Sequence, residues 1–513
     1  MREDDGVGVA AGVQRRWFAL AGVVAGASGV ALSVAVAWAL HAETNPVLAV
    51  AAEVRDLTPG PIAERLINVV GHADKPLLTA GTVVVLLALC AGIGLLARVN
   101  EIGADLAFLA LGAIGLLAVR SQPHADGAAT VSVVVGLVGW VVVLRLLDGR
   151  LAPVVPVASP DLSRRTFLAM SGGVVLVSGL ALWAGRIAGR GRRAAEEARR
   201  LIRLPFGIGK EPAGADLGVP HVLPWRTPNQ QFYLINTALS APSITPSEWS
   251  LRIHGMIDRE LTLTYEDLAA RRLSGAWVTL CCVSNTVGGP LIGNAYWSGV
   301  PIRDLLAEVG VHPGADAVKQ TSYDGWTCGT PLSALTDGRN ALLAMGMNGQ
   351  PLPIEHGFPV RMVVPGLYGY VSATKWLVDL EVTRFDRFRA YWTERGWSAR
   401  GPVKTESRID YPGDGWAVDK GTLAVGGSAW AQHTGIAKVE VQLDGGPWRT
   451  ARLGSVPDKD TWVQWTLDVD APAGTHELRV RATDRTGYTQ TPVERDVVPN
   501  GATGWHTVRF KAS

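Results

Sequence analysis

Thr279-Leu280-Cys281-Cys282-Val283-Ser284-Asn285 leads into Gly288-Gly289 and then into Trp297-Ser298-Gly299-Val300. The two adjacent cysteines close a short apolar run, Trp277 to Leu280, and open a loop of small and polar residues. Such a run reads as a strand, and a strand end feeding a polar loop can present one thiolate, a soft and strong metal ligand. Successive residues of an extended chain point to opposite faces, so Cys281 and Cys282 do not both meet one metal. The bland alternative is a pair of inert buried thiols, since free cysteine is among the most buried residue types. This stretch leaves the two readings level. The rest of the chain separates them.

At 513 residues the chain exceeds what one core usually supports, about 300 residues, so several domains are expected. Apolar residues make up 48% and charged residues 18%, and the mean hydropathy is positive, which points to membrane segments. A net charge of +2 gives no basic field for nucleic acid. Cys90 lies in an apolar run and the other three cysteines fall between 281 and 328, which suits site chemistry or burial better than a disulfide framework.

Long apolar runs at 17–40, 76–97, 127–144 and 166–185 each suffice for a ~30 Å hydrocarbon layer. A fifth, Leu106 to Val119, reaches full span only with Ile102 to Asp105. The first 186 residues therefore read as a bundle of about five transmembrane helices, with Gly22 and Gly26 spaced for close helix packing. Arg15, Arg16, Arg98, Arg145, Arg150, Arg164 and Arg165 all face the cytoplasm if the N-terminus does, and five crossings leave the remainder on the extracytoplasmic side. Six arginines between 186 and 200 sit against that rule. Ser163-Arg164-Arg165-Thr166-Phe167-Leu168 resembles a twin-arginine export signal, whose alternative is a plain positive-inside pair.

Residues 187–228 read as a linker, beginning with an Arg/Ala/Glu-rich helix and continuing as Gly- and Pro-studded loop. From 229 to 400 short strands such as Leu251–Ile253 and Leu261–Leu263 alternate with short helices at Tyr265–Leu273 and Ile302–Val309, predicting an α+β domain. From 401 to 513 the alternation of Lys438–Leu443 and His476–Thr483, with Asp444-Gly445 as a hairpin turn, predicts an all-β immunoglobulin-like sandwich without a disulfide.

A second stretch carries chemistry: Met347-Asn348-Gly349-Gln350-Pro351, His356-Gly357-Phe358-Pro359-Val360-Arg361, Pro365-Gly366 and Gly369 to Lys375-Trp376. One His, one Arg and one Lys around Gly-rich turns can receive an anionic phosphate, although solvated surface charge is the commoner meaning of such residues. Taken in order, these blocks resemble the sulfite oxidase superfamily of molybdenum enzymes, over roughly Gln230 to the C-terminus. The blocks are Gln231 to Thr237, Trp249-x-Leu251-x-Ile253-x-Gly255, Cys282-x-x-Asn285, Trp297-x-Gly299-Val300, and Asn348-Gly349 to Lys375-Trp376. In the C-terminal region they are Ser407 to Asp410, Gly427 to Trp430, and Val439 to Gly446.

The resemblance implies a molybdenum held by the dithiolene of one molybdopterin and one Cys thiolate. Its Cys–Asn spacing selects Cys282 and leaves Cys281 as a packing neighbour. His356, Arg361 and Lys375 then grip the cofactor phosphate, while Tyr233, Asn236, Thr237, Ser284, Asn285, Asp324 and Ser372 fall around the pterin. Trp326 stands where the family keeps an active-site Tyr. The arginines that sulfite oxidases carry after the ligand Cys are missing, Asn285 being followed by Thr286-Val287-Gly288-Gly289. A doubly charged sulfite would be poorly compensated among tryptophans, so a neutral, sulfoxide-like oxygen-atom donor or acceptor is expected. Cys328 could lie near the metal, although a buried thiol is its plainer reading.

No haem-binding His pair or Fe–S spacing is present in the sequence, so electrons are expected to pass to a separate redox partner or a quinone. The family's C-terminal domain mediates homodimer contact. The expected whole is a membrane-anchored molybdopterin oxidoreductase with an extracytoplasmic catalytic domain. Its alternatives are a sulfite dehydrogenase of the same family and a membrane-anchored, non-catalytic binding module.

Overall fold

The computed structural model describes residues 4–42, 44–59, 62, 74–151, 160–188, 191–203 and 207–513. These form two compact units, Met1–Gly191 and Arg192–Ser513.

The first unit is helical: α1 (Asp4–Ala39), α2 (Pro46–Leu57), α3 (Asp74–Ala97), α4 (Glu101–Arg120), α5 (Gly127–Leu151) and α6 (Pro160–Ala188). The long helix α1 is central and packs on α3, α5 and α6. Gly22 and Gly26 both face Cys90 of α3, where a Cβ on either would collide. Four segments are long and apolar enough to cross a membrane: Arg15–Ala39, Asp74–Ala97, Glu101–Arg120 and Gly127–Asp148. The run expected to be marginal is thus a full helix, because Asn100 caps it (Asn100 Oδ1 accepts the Gly103 N–H at 2.9 Å) and so draws Ile102 to Asp105 into it. In α6 the apolar stretch among the described residues is Leu168–Ala184.

The stretch from His41 to Lys75, between the first two long apolar runs, holds α2 at Pro46–Leu57. Asn45 accepts the Val47 N–H at 2.9 Å and Pro46 takes the first turn, a start signal hidden by the mixed charge of the segment. Residues 43, 60–61 and 63–73 of that stretch lie outside the described residues.

The second unit opens with α7 (Gly191–Leu201) and carries, ahead of its C-terminal strands, one mixed and one antiparallel sheet. Its strands are β1 (Ser250–Gly255), β2 (Leu261–Thr264), β3 (Ser274–Cys281), β4 (Ile292–Pro301), β5 (Ala317–Ser322), β6 (Thr327–Pro331), β7 (Leu342–Met347), β8 (Gln350–Pro351), β9 (Arg361–Val363) and β10 (Leu377–Thr383). One sheet runs β2-β1-β10-β5-β6, with β1 and β10 parallel. The other runs β3-β4-β7-β8, with β9 on β7. Between strands lie α8 (Tyr265–Ala269), α9 (Ile302–Val309) and α10 (Leu332–Thr336). The apolar spacing of α9 buries Ile302, Leu305, Leu306 and Val309 on one face. Started by a Thr264–Asp267 capping box, α8 ends at Ala269, four residues short of the sequence expectation.

The remaining strands form a two-sheet sandwich: β11 (Glu406–Tyr411), β12 (Ala417–Val418), β13 (Gly421–Trp430), β14 (Ile436–Leu443), β15 (Arg449–Thr450), β16 (Arg452–Leu453), β17 (Val463–Ala471), β18 (Gly474–Asp484) and β19 (His506–Ala512). The sheets are β11-β13-β17-β16 and β12-β19-β18-β14-β15. Val425, Trp465 and Val469 from one meet Val439, Leu478, Val480 and Phe510 from the other in a shared core. Asp444 (φ 49°) and Gly445 (φ 70°) both take the left-handed conformation that twists the chain back toward β15, as the Asp-Gly pair predicts. The segment read as linker behaves differently in its second half. Trp225 is fully buried, its indole donating to the Trp462 carbonyl at 3.1 Å while the Trp462 indole donates to the Trp225 carbonyl at 2.8 Å.

Candidate active site

Strand β3 runs between two cores. Trp277 and Cys281 pack into one, and Ala276, Val278 and Leu280 into the other, together with Phe232 and Phe358. The period of two continues past the strand end, so Cys282 points opposite to Cys281. The Cys282 N–H donates to the Leu291 carbonyl at 2.9 Å, extending the β3–β4 ladder by one rung beneath the loop. Cys282 lines an open cavity of about 850 Å³ including its mouth, whereas Cys281 is wholly buried and does not line it.

That cavity gathers residues from distant parts of the chain: Tyr233, Asn236, Thr237, Cys282, Ser284, Asp324, Trp326, Arg361 and Lys375 all line it. The other three sequence-expected residues do not line it. Asn285 is buried in the loop, its Oδ1 accepting the Leu291 N–H at 2.7 Å and its Nδ2 lacking a partner. Ser372 is buried and spends its hydroxyl on the Leu367 and Tyr368 carbonyls, at 3.1 and 2.9 Å. His356 is buried, stacked edge-on against Phe232 and hydrogen-bonded through Nε2 to the Asn229 carbonyl at 3.1 Å. Asn229 is itself fixed from the Asn348-Gly349 turn, where the Asn348 side-chain amide donates to the Asn229 side chain at 2.8 Å. Cys328 is buried away from the cavity, its Sγ 3.2 Å from the Thr374 hydroxyl and its thiol pushed up to about 12 by burial.

The electrostatics favour an anion. Arg361 is 4% exposed, sits 4.9 Å over the Trp297 ring and donates to the His356 and Ala373 carbonyls at 3.0 and 3.3 Å. No carboxylate pairs with it among the described residues, and burial lowers its pKa to about 10. Burial first, then Lys375 and Arg361, holds the His356 imidazole down at about 3, and its Nδ1 has no partner. A buried cation facing only carbonyls and a buried ring nitrogen left bare are costly unless an anion completes them. The Cys282 thiol is raised by burial and lowered by hydrogen bonds from Ser284, and then by the nearby Lys375 ammonium.

The donor set is equally specific. Among the described residues no group of three or more His, Cys, Asp or Glu side chains can hold a bare metal ion. One thiolate beside a cationic recess fits a metal that arrives inside an anionic organic ligand. Sequence reasoning missed much of the wall: Phe232, Tyr370, Trp376, Trp392 and Trp397 also line the cavity. Trp392 and Trp397 meet edge to face at 6.3 Å, and their spacing along an irregular segment carries no period that would single them out.

Behind Cys281 lies Glu406, 4% exposed, with Oε1 unpartnered and its carboxyl raised to about 8 by burial. The folded chain keeps this proton between the ordinary carboxyl value, about 4.5, and about 8, while the unfolded chain has released it. Stability from this group is therefore full at acid pH and is lost as pH rises through that window. Glu406→Gln is expected to flatten the fall and raise the melting temperature at pH 8 but not at pH 4, as read by thermal melts across pH.

The fold and the pocket suit one class of protein, enzymes that carry a metal within an organic cofactor. Residues 238–392 match the model of the oxidoreductase molybdopterin binding domain, and residues 401–512 that of the Mo-co oxidoreductase dimerisation domain. The chain belongs to the sulfite oxidase superfamily of molybdopterin-dependent oxidoreductases, with molybdopterin-bound molybdenum as its cofactor. It is similar to an uncharacterized oxidoreductase, YuiH, of Bacillus subtilis, at 34% identity over 32% of this chain and 80% of that one. It is similar to mitochondrial sulfite oxidase of Homo sapiens at 29% identity, over 56% of this chain but only 62% of the human enzyme's length. Among solved structures, the sulfane dehydrogenase SoxCD of Paracoccus pantotrophus shares the fold, with a TM-score of 0.50 at 23% identity, covering 61% of this chain and 90% of that one. With the family shown, the reading as a non-catalytic binding module falls away.

Proposed function

We propose that the chain is a membrane-anchored oxygen-atom transferase in which Cys282 ligates molybdenum and the substrate is a neutral, sulfoxide-like molecule. Molybdenum in its dithiolene supplies the two-electron oxygen transfer when bound. The protein's part is to hold and to shape. Arg361, His356 and Lys375 receive the phosphate, with His356 Nδ1 taking up a proton once an anion neighbours it. Tyr233, Asn236, Thr237, Ser284, Asn285, Asp324 and Ser372 surround or brace the pterin, and Trp326 faces the substrate. The observation that carries the substrate class is the cavity lining, where Trp326, Tyr370, Trp392 and Trp397 stand with only two cations, Arg361 and Lys375. Both cations are taken up by the phosphate in this reading, so among the described lining residues neither is left to balance a dianion.

Sulfite oxidation is the second reading, supported by the names of the curated relatives. Steady-state kinetics separate the two. A dialkyl sulfoxide with a chemical electron donor is expected to give a kcat/KM at least ~100-fold above that for sulfite with an acceptor, the worth of about 2.7 kcal/mol of uncompensated charge. The reverse ratio would assign the sulfite dehydrogenase reading.

The domain reading divides the chain into a bundle at 1–186, a linker at 187–228, a catalytic domain at 229–400 and an immunoglobulin-like sandwich at 401–513. Five crossings, the fifth within α6, leave the catalytic domain extracytoplasmic, with Arg164-Arg165 as its export signal, a separate electron partner or quinone, and homodimer contact through the sandwich. A reporter active only outside the cytoplasm, fused after Ser513, is expected to be active. Replacing both arginines by Lys is expected to silence it, and unchanged export of cofactor-loaded protein would remove the twin-arginine part.

A further inference from the structure

The loop that leaves Cys282 is held at its far side by the C-terminal sandwich. Within the loop the chain turns twice: the Asn285 N–H reaches the Cys282 carbonyl at 3.1 Å, and the Gly289 N–H the Thr286 carbonyl at 2.8 Å. From β11, the Arg408 guanidinium donates through Nη1 to the Gly289 carbonyl at 2.9 Å. Through Nε it holds Asp410 at 2.6 Å, and it lies 5.9 Å from the Trp462 ring centre. Arg408 is 4% exposed and the Asp410 side chain 7%. From β19, His506 lies so close to Gly288 that a Cβ there would strike the imidazole, whose Nδ1 accepts the Ile409 N–H at 3.0 Å.

Strand β3 is gripped from the same side. The Thr279 N–H donates to the Asp460 carbonyl at 3.0 Å, the Thr279 hydroxyl accepts the Trp462 N–H at 2.8 Å, and the Gln432 amide donates to the Thr279 carbonyl at 3.2 Å.

A buried Arg–Asp pair is a poor way to gain stability, since an apolar pair of similar volume serves as well or better. This pair does one thing an apolar pair cannot: it fixes a carbonyl in the loop that begins at the cysteine. We propose that Arg408, oriented by Asp410, is a positioning residue for Cys282, and that the C-terminal domain thereby completes the active site within one chain in addition to any role in dimerisation. The role of Cys282 as ligand is the reading argued above. The hold on the loop does not depend on it.

The test uses the full-length chain with Arg408→Gln, Arg408→Lys and the double variant Arg408→Met/Asp410→Leu, which replaces the pair by apolar volume. Amide hydrogen exchange over residues 283–291 is read in cofactor-free protein, and kcat and KM in loaded protein. The expected result for the double variant is a folded sandwich with unchanged exchange in β13 and β17. Exchange in the loop rises roughly tenfold or more, and kcat falls roughly ten- to a hundredfold with KM little changed, the scale of a small misplacement of a reacting group. Arg408→Lys recovers part of both. A folded double variant with wild-type loop exchange and wild-type kcat overturns the proposal. A loosened loop with unchanged kcat overturns the link to Cys282 while leaving the clamp, and so distinguishes failure here from failure of the ligand assignment.

Discussion

Cys282→Ser is expected to abolish turnover while the protein still purifies with its pterin. If Cys282 is the ligand, loss of its thiolate would take an anionic donor from the metal that the cofactor supplies. A fall in kcat of roughly three or more powers of ten is about 4 kcal/mol at 1.36 kcal/mol per decade. The pterin is expected to stay, because in the proposed reading its phosphate is held elsewhere, by Arg361, His356 and Lys375. Cys281→Ser is the matched control. Its Sγ sits 3.4 Å from the Cys282 carbonyl inside a closed core, so a hydroxyl there costs packing and desolvation, about 1–3 kcal/mol of stability, and leaves kcat nearly intact. Released pterin quantified beside kcat for both variants checks the pair. Inactivity of Cys281→Ser with an active Cys282→Ser would move the ligand by one residue.

The second large effect has two signs. Arg361→Met is expected to strip the cofactor, weakening its hold by about 2–5 kcal/mol as for other buried charges that lose a partner. The same change is expected to raise the melting temperature of cofactor-free protein, because Arg361 is buried against carbonyls and bears its desolvation cost with no carboxylate opposite among the described residues. If Arg361 were an ordinary structural residue, its replacement would lower stability with and without cofactor alike. Thermal melts and cofactor content of both forms distinguish these outcomes.

Much of this arrangement is legible in the sequence because local signals carry it. The β3 run ends at the cysteines, where small and polar residues take over, the Asp444-Gly445 turn follows from its residue types, and three of the four helices long and apolar enough to cross a membrane are plain from length and composition. The cysteine, arginine and lysine of the pocket are legible through their spacing and the family resemblance. Other features are not written locally. Helix α2 depends on the Asn45 cap and Pro46, a start signal masked by mixed charge. Trp392 and Trp397 reach the cavity through tertiary packing of an irregular segment. Arg408 reads as one residue of an alternating strand, and only the sandwich's docking against β3 turns it toward Gly289.

Whether the Cys282 thiolate holds molybdenum in this pocket is read by molybdenum K-edge X-ray absorption on the purified full-length protein, wild type beside Cys282→Ser. Stoichiometric molybdenum is expected in both, with one sulfur scatterer fewer in the variant and no change in Cys281→Ser. An identical sulfur shell in wild type and Cys282→Ser would contradict the assignment of Cys282 as ligand.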